Sequence, residues 1–226
     1  MEKLFKIEAH LHTAESSRCG YVSGADFVER YHLLGYDGLV VTDHLHEDFV
    51  SGLNCRNDWN ACMDLFLGGY KRAKRQGEKV GLNVMLGAEI RFPEPNGSDY
   101  LIYGIDEEFL RKNPYLYKTT PQDFFKRYGD EILIIHAHPF RKNEVVFTDS
   151  IHGIELYNSN PRHNNNTEKA VELSKAHPEL YLIAGSDAHR EGDISRGWML
   201  FNKPVTTSRE FREAIMRNDY FLSHVN

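Results

Sequence analysis

Short apolar runs recur along the chain, separated by stretches whose apolar positions have helical spacing. "GLVVTDH" packs Leu39, Val40 and Val41 behind Gly38 and predicts a buried strand. "LNVMLGAEI", "YLIYGI", "EILIIHAHP", "GIELYN" and "LYLIAGSDAH" have the same signature, and "GWMLFN" and "DYFLSH" are weaker versions of it. A first apolar run leads into His10 and His12. Between the runs lie helices. Ser23 is placed to cap "GADFVERYHLLG", where Phe27, Val28, Tyr31 and Leu34 form a stripe that Gly35 ends. "NDWNACMDLFLGGYKRAKRQG" predicts a longer helix interrupted at Gly68 and Gly69. "TPQDFFKRYG" carries Pro121 in its first turn, "NNNTEKAVELSKAHP" ends before Pro178, and "TTSREFREAIMRN" closes the pattern. Strands alternating with helices predict parallel βαβ units, hence an α/β fold. The turn-rich "RFPEPNGSD" reads as a loop excursion and not as a domain boundary.

With 226 residues, the chain is long enough for one sizeable core, so residues 1–226 are expected to form a single domain. A formal net charge of -6 provides no global basic field, which disfavours nucleic acid as a partner. The start lacks a signal-peptide h-region, and no apolar run is long enough to span a bilayer. Cys19, Cys55 and Cys62 form neither a CxxC nor an even framework, so reduced thiols and a cytoplasmic setting are expected. The anomaly is histidine: there are twelve, and their positions matter more than their number.

Several stand at strand ends. His10 and His12 follow the first run, His44 follows "GLVVT" and Glu89 follows "VMLGA". His136 and His138 follow "ILII", and Asp187 and His189 follow "LIAG". Ligand sites of parallel α/β sheets and barrels lie at the C-terminal edge of the strands. Five runs therefore aim metal-capable side chains at one place. Three of the pairs are spaced two apart, which puts both side chains on one face of an extended strand. Each motif alone has a bland reading as a helix cap, a surface histidine or a salt bridge. Together they would require five unrelated coincidences. Imidazole and carboxylate donors without thiolate suit Zn, Mn or Fe, and their number exceeds what one catalytic ion needs. Two or three divalent ions are expected, bridged by Glu89. Such clusters support hydrolysis, most naturally of a phosphoester.

"HLHT", "GLVVTDH", "GAEI", "HAHPF" and "GSDAH", in this order from Ile7 to His189, resemble the PHP (polymerase and histidinol phosphatase) family of metal-dependent phosphoesterases. The resemblance implies a distorted seven-stranded (β/α)7 barrel, TIM-like, with a trinuclear site at the strand C-termini. It implies phosphoric-ester hydrolysis by a metal-bound hydroxide, with His10, His12, Glu89, Asp187 and His189 at the catalytic centre. His10 and His12 would share the first ion with Glu89 and Asp187. His44 and His189 would hold a second, and Glu89 would bridge to a third shared with His138. Two positions depart from the family's common pattern. Glu15 stands where relatives often have Asp or His for the second ion, and Asp99 stands where they often have His for the third. Cys19 reads as a bystander, Asp43 as a support behind the ligands, and His136 as a ligand or a hydrogen-bonding neighbour. His46 and His163 are nearer the site and are expected either to support the ligands from behind or to contact substrate.

Phosphate also calls for cations from the protein. Arg18, Arg91, Arg141, Arg190 and Arg196 all lie close to a motif, and Arg suits bidentate phosphate contacts. Arg141 and Arg18 are the preferred pair. A short chain without long substrate-domain insertions favours a small phosphomonoester, such as a nucleotide or histidinol phosphate. The alternative is a nuclease or phosphodiesterase acting on nucleic-acid ends or oligonucleotides. A related amidohydrolase barrel usually carries a metal-bridging Lys, and no Lys stands at a strand end here.

Overall fold

The computed structural model describes residues 3–52, 55, 58–94 and 97–224. Asn57, at the head of the longest predicted helix, and Pro95 and Asn96, within the turn-rich loop, lie outside these residues. Every predicted apolar run is a strand: β1 (Phe5–Leu11), β2 (Gly38–Val41), β3 (His44–Leu45), β4 (Asn83–Leu86), β5 (Ala88–Arg91), β6 (Asp99–Tyr103), β7 (Leu133–His136), β8 (Gly153–Asn158), β9 (Tyr181–Gly185), β10 (Gly197–Phe201) and β11 (Tyr220–His224). "GLVVTDH" and "LNVMLGAEI" each supply two short strands in place of one.

The helices are α1 (Gly24–Leu33), α2 (Glu47–Ser51), α3 (Trp59–Phe66), α4 (Gly68–Val80), α5 (Glu107–Lys112), α6 (Pro121–Tyr128), α7 (Thr167–Ala176) and α8 (Ser208–Met216). Ser23 accepts from the Asp26 N–H and caps α1. Thr207 and Glu210 form a reciprocal capping box on α8. The long predicted helix breaks at Leu67 into α3 and α4, next to the predicted glycines. The short α2 and α5, capped by His46 and Asp106, were not predicted.

The strands form two mixed sheets, ordered β11-β10-β1-β2-β4 and β3-β5-β6-β7-β8-β9. The expected run of parallel units holds for β1-β2-β4 and β7-β8-β9. It fails at β5-β6-β7 and β1-β10-β11, which are antiparallel. "RFPEPNGSD" is therefore the connection of an antiparallel pair and sets Arg91 opposite Asp99. No closed seven-stranded barrel is present among the described residues. The sheets are joined at two places. Leu11 bridges in parallel to Ala188, and the chain runs from β2 into β3 and from β4 into β5. Between the sheets, Ile7, Ala9, Val40, Met85, Leu101, Leu133, Ile135 and Ile183 form an apolar filling that includes Phe211 and Ile215 of α8. Such a filling provides a rigid, water-excluding floor.

One expectation about cysteine is corrected. Cys55 and Cys62 are joined in a disulfide, with Cα atoms 5.3 Å apart. The Asp58 N–H donates to the Cys55 carbonyl, and this turn folds the chain back onto the start of α3. The spacing of seven gave no hint of that turn. No helix among the described residues is long and apolar enough to cross a membrane.

Candidate metal centre

The strand ends converge as the sequence predicts. His10 and His12 are fully buried, and their Nε2 atoms face one another at 3.0 Å. Glu89 lies at the centre: one carboxylate oxygen is 2.6 Å from His44 Nδ1, and the other is 3.1 Å from His138 Nε2 and 3.5 Å from His10 Nε2. Asp187 is 3.3 Å from His12 Nε2 and 3.6 Å from His10 Nε2. The donor atoms fall into three overlapping groups: His12, His44 and His189; His10, His12 and Glu89; Glu89, Asp99 and His138. Eight of the nine sequence-predicted ligands are thus in or beside one cluster.

The backbone bends to achieve this. Pairing of β1 with β2 shifts register between Glu8 and Leu11, at the histidines themselves. His138 and Asp187 both adopt left-handed backbone, with φ of 30° and 49°. Such conformations are costly for residues with a side chain and persist where the surroundings enforce them. At Gly185 a Cβ would sit 2.6 Å from His10 Cβ, so only glycine lets β9 approach β1 this closely.

Electrostatics follow from burial and neighbours. Burial alone would raise the Glu89 carboxyl, but His44, His10 and His138 hold it well below the usual carboxylate range. Asp187 is held low in the same way by His10, His12 and Arg141. Burial would depress His10, yet Glu155 and Asp187 keep its imidazole well above the ordinary value. His12, buried and facing His44 and His189, is pushed well below it. Its Nδ1 is buried without a hydrogen-bond partner. Buried imidazole nitrogens facing one another and two carboxylates at 3.0–3.6 Å are what a cation-binding site presents. The donor set fits divalent metal ions.

The ninth predicted ligand, Glu15, is elsewhere. Its carboxylate accepts the Gly24 N–H at 3.0 Å and pairs with Arg72 at 3.1 Å, so it ties the loop to α1 and α4. Cys19 is exposed and lines the cavity beside the cluster together with His44. Partial desolvation would raise this thiol, but the His189 and His44 imidazoles bring it down to about 6. The intervening loop folds through contacts that sequence spacing does not reveal. Asp99 reaches the cluster, but it also accepts a bidentate pair from Arg91 at 2.7 and 3.0 Å.

Arg141 donates to Asp187 at 2.7 Å and to Asn158 and Asn165, so it holds Asp187 in place. Arg190 lies over the Tyr21 ring. The Arg196 backbone N–H donates to Ser186, and its Nε is buried without a partner. Arg18 lies against Gly52 and, with Cys19, His44, His46 and Arg91, lines a cavity beside the cluster. His136 stacks on Tyr100 and is kept neutral by burial, its pKa pushed down to about 3. His163 sits near Arg141 and Asp187, outside the three groups.

Three buried carboxylates support the cluster, and only Asp43 was anticipated. It accepts from the Thr13 N–H, the Thr13 hydroxyl and the Ser17 hydroxyl, each at 2.7 Å. Glu155 accepts from His10 Nδ1 at 2.9 Å, from the His138 N–H and from Asn158. Glu8 accepts from the His10 and Ser186 N–H groups and the Tyr31 hydroxyl. Carboxylates inside apolar strands, as in "KIEAH" and "GIELYN", were the available signal, since a buried charge needs a partner.

The comparisons agree with this geometry. Residues 165–220, which carry Asp187 and His189, match the family model described as PHP-associated. Among curated proteins, none matches the sequence. The fold is similar to that of a two-domain protein from Bacteroides vulgatus containing a predicted PHP-like metal-dependent phosphoesterase. That likeness has a TM-score of 0.70 at 17% identity and covers 99% of this chain but 66% of that one. A protein from Bifidobacterium adolescentis, provisionally named a metal-dependent phosphoesterase, gives a TM-score of 0.53 at 17% identity, covering 93% and 96%. An amidohydrolase from Chromobacterium violaceum with bound sulfate and no metal gives 0.58 at 14% identity, covering 95% and 97%. The architecture is PHP-like, and the resemblance read from the five motifs is borne out.

Proposed function

We propose that this protein is a metal-dependent phosphoesterase that hydrolyses a small phosphomonoester, of the kind represented by a nucleotide or histidinol phosphate. Glu89 carries the reading. One buried carboxylate stands within 3.6 Å of nitrogens of His10, His12, His44 and His138, the arrangement that lets a single bridge join adjacent ions. His10, His12, Glu89 and Asp187 would hold one of two or three ions, drawn from Zn, Mn and Fe. Bound there, the ions supply Lewis-acid polarisation of a phosphoryl oxygen and a water acidic enough to attack at neutral pH.

The rest falls to the chain. Glu155 fixes the tautomer and orientation of His10. Arg141 and Asn158 aim Asp187. Arg18, at the rim of the cavity that His44 lines, is placed to meet phosphate oxygens. The two sheets would be the halves of a distorted barrel, with the apolar filling as its floor.

The test is release of phosphate from p-nitrophenyl phosphate, lost with chelator and restored by Mn²⁺ or Zn²⁺. Turnover of oligonucleotides but not of mononucleotides would favour the nuclease reading. Hydrolysis of amides and of no phosphate ester by the metal-loaded protein would defeat the proposal and place the chemistry with the amidohydrolase neighbour.

A further inference from the structure

Arg18 and His44 line a cavity of about 260 Å³ beside the cluster. A second cavity, of about 380 Å³, shares His46, Asp48 and Arg91 with it, so the two adjoin. Two of the shared side chains are held in place. His46 caps α2, its Nδ1 accepting the Phe49 N–H, so Nε2 carries the ring proton. The Arg91 guanidinium donates to both oxygens of Asp99, at 2.7 and 3.0 Å. Asp99 belongs to one of the three donor groups, so the boundary between the cavities is tied to the metal centre itself.

The second cavity differs in chemistry from the first. Beyond the shared residues its walls are Phe92, Pro93 and Tyr117, together with Glu47 and Lys118. Glu47 and Lys118 pair at 3.0 Å, so their charges offset one another and the apolar walls decide what fits. Those walls are rigid. Phe92 packs on Tyr100 and Phe124 at ring separations of 5.3 and 5.2 Å. Tyr117 sits in a tight turn closed by the Lys118 N–H and the Tyr115 carbonyl. Pro93 is exposed and presents a stiff, flat ring. The Tyr117 hydroxyl is buried without a hydrogen-bond partner, and a buried donor in a cavity wall calls for an acceptor. The volume lies at the small end of the range for small-molecule sites, about 300–1,000 Å³, which suits one ring system and not a nucleic-acid strand.

We propose that this second cavity is the leaving-group subsite, and that Phe92, Pro93 and Tyr117 select phosphomonoesters whose alcohol carries a flat, uncharged aromatic or heteroaromatic ring. The inference rests on the phosphoesterase reading above and goes beyond it in naming the feature of the substrate that is selected and the residues that select it. With the phosphoryl group at the metal centre, the ester's alkyl arm passes His46 and Arg91, and the ring lies against Pro93 and Tyr117. Ring-free esters such as glycerol phosphate leave the apolar walls wet and gain nothing from them.

The experiment titrates the Mn²⁺-loaded protein with 2-phenylethylphosphonate and with ethylphosphonate, by calorimetry. Both are inert to hydrolysis and carry the same head group, so their difference reads the subsite alone. The ring should tighten binding by at least about tenfold, as burial of a fitted apolar group does. Pro93→Asp, which puts a charge into the apolar wall, should bring the two affinities within about twofold of one another. Pro93→Ala should narrow the difference less, and it serves as the test should Pro93→Asp not fold. Equal affinities in the unmutated protein, or an unchanged difference in the folded variants, would overturn the subsite. Binding of neither phosphonate to the metal-loaded protein would overturn the subsite and the phosphoesterase reading together. A ring preference that Pro93→Asp abolishes, with no hydrolysis of 2-phenylethyl phosphate, would support the subsite and overturn the phosphoesterase reading alone.

Discussion

"EAHLH" and "IIHAH" place two histidines at the same spacing at the end of a buried strand, yet they come out differently. In the first, both rings enter the cluster and their Nε2 atoms meet at 3.0 Å. In the second, His138 reaches Glu89 at 3.1 Å, while His136 turns to Tyr100 and to Asn143. The cause is where each strand stops. β1 runs through Leu11, and the His12 N–H prolongs its pairing by donating to the Ala188 carbonyl, so His10 and His12 keep the two-residue alternation. β7 ends at His136, and His138 continues in left-handed backbone, which breaks it. An HxH pair brings both rings to one site only while the extended backbone lasts through both.

The largest test of that difference is at the second histidine of one pair and the first of the other. His12→Ala removes a donor shared by two of the three groups. For the phosphomonoester hydrolysis proposed above, kcat/KM should fall by well over about a hundredfold, more than the loss of an outer partner costs. His136→Gln should keep full metal content and activity, and any penalty should appear in thermal stability alone. Loss of an ion from His136→Gln would mean that both pairs ligate.

Gly185 tests the packing behind the first pair. Gly185→Ala drives a methyl against His10 Cβ at 2.6 Å and Glu155 Oε1 at 3.0 Å. Overpacking of this kind costs about 1–3 kcal/mol, and metal affinity should fall with it. Gly192→Ala is the control, because a Cβ there meets nothing within 4 Å. Equal denaturant midpoints for the two variants would show that the close approach of β9 is not needed.

Most of this framework was legible in the sequence, for a physical reason. Buried strands must be apolar, so a polar residue at the end of each run stands out, and a common edge collects those ends. The loop from Thr13 to Gly20 was not legible. Its course is set by bonds to Asp43, about thirty residues away, and to His189, far along the chain. That is why Glu15, with the right chemistry, is out of reach. Antiparallel pairing of β6 escaped for a similar reason, because local periodicity says nothing about strand direction. Glu155 was visible as a carboxylate within an apolar strand, but its partner, His10, lies 145 residues away.

Glu155 supports both pairs at once, through His10 Nδ1 and the His138 N–H. Glu155→Gln preserves shape and removes the charge. Metal affinity should drop about 10- to 100-fold, as is typical when the carboxylate behind a ligating imidazole is neutralised. Competition with a chromophoric chelator measures this, and unchanged affinity would leave Glu155 with a packing role only.

Glu8 distinguishes the two pairs most finely. It stands two residues before His10, where Ile134 stands before His136. Its carboxylate holds the N–H groups of His10 and Ser186, and burial pushes its pKa up to about 7 from 4.5. A raised carboxyl pKa means that the folded chain binds the proton more tightly than the unfolded one. The resulting stability is fully present below about pH 4.5 and is lost as pH rises toward 7. In chelator-treated protein this gives a decline on the order of 1 kcal/mol per pH unit across that window. Glu8→Gln carries no titrating group there, so its decline should be shallower by that amount. Parallel stability curves for Glu8→Gln and the unmutated protein would show that Glu8 stays ionised on folding. The first histidine pair would then be anchored by a fixed negative charge and not by a carboxyl that gains its proton.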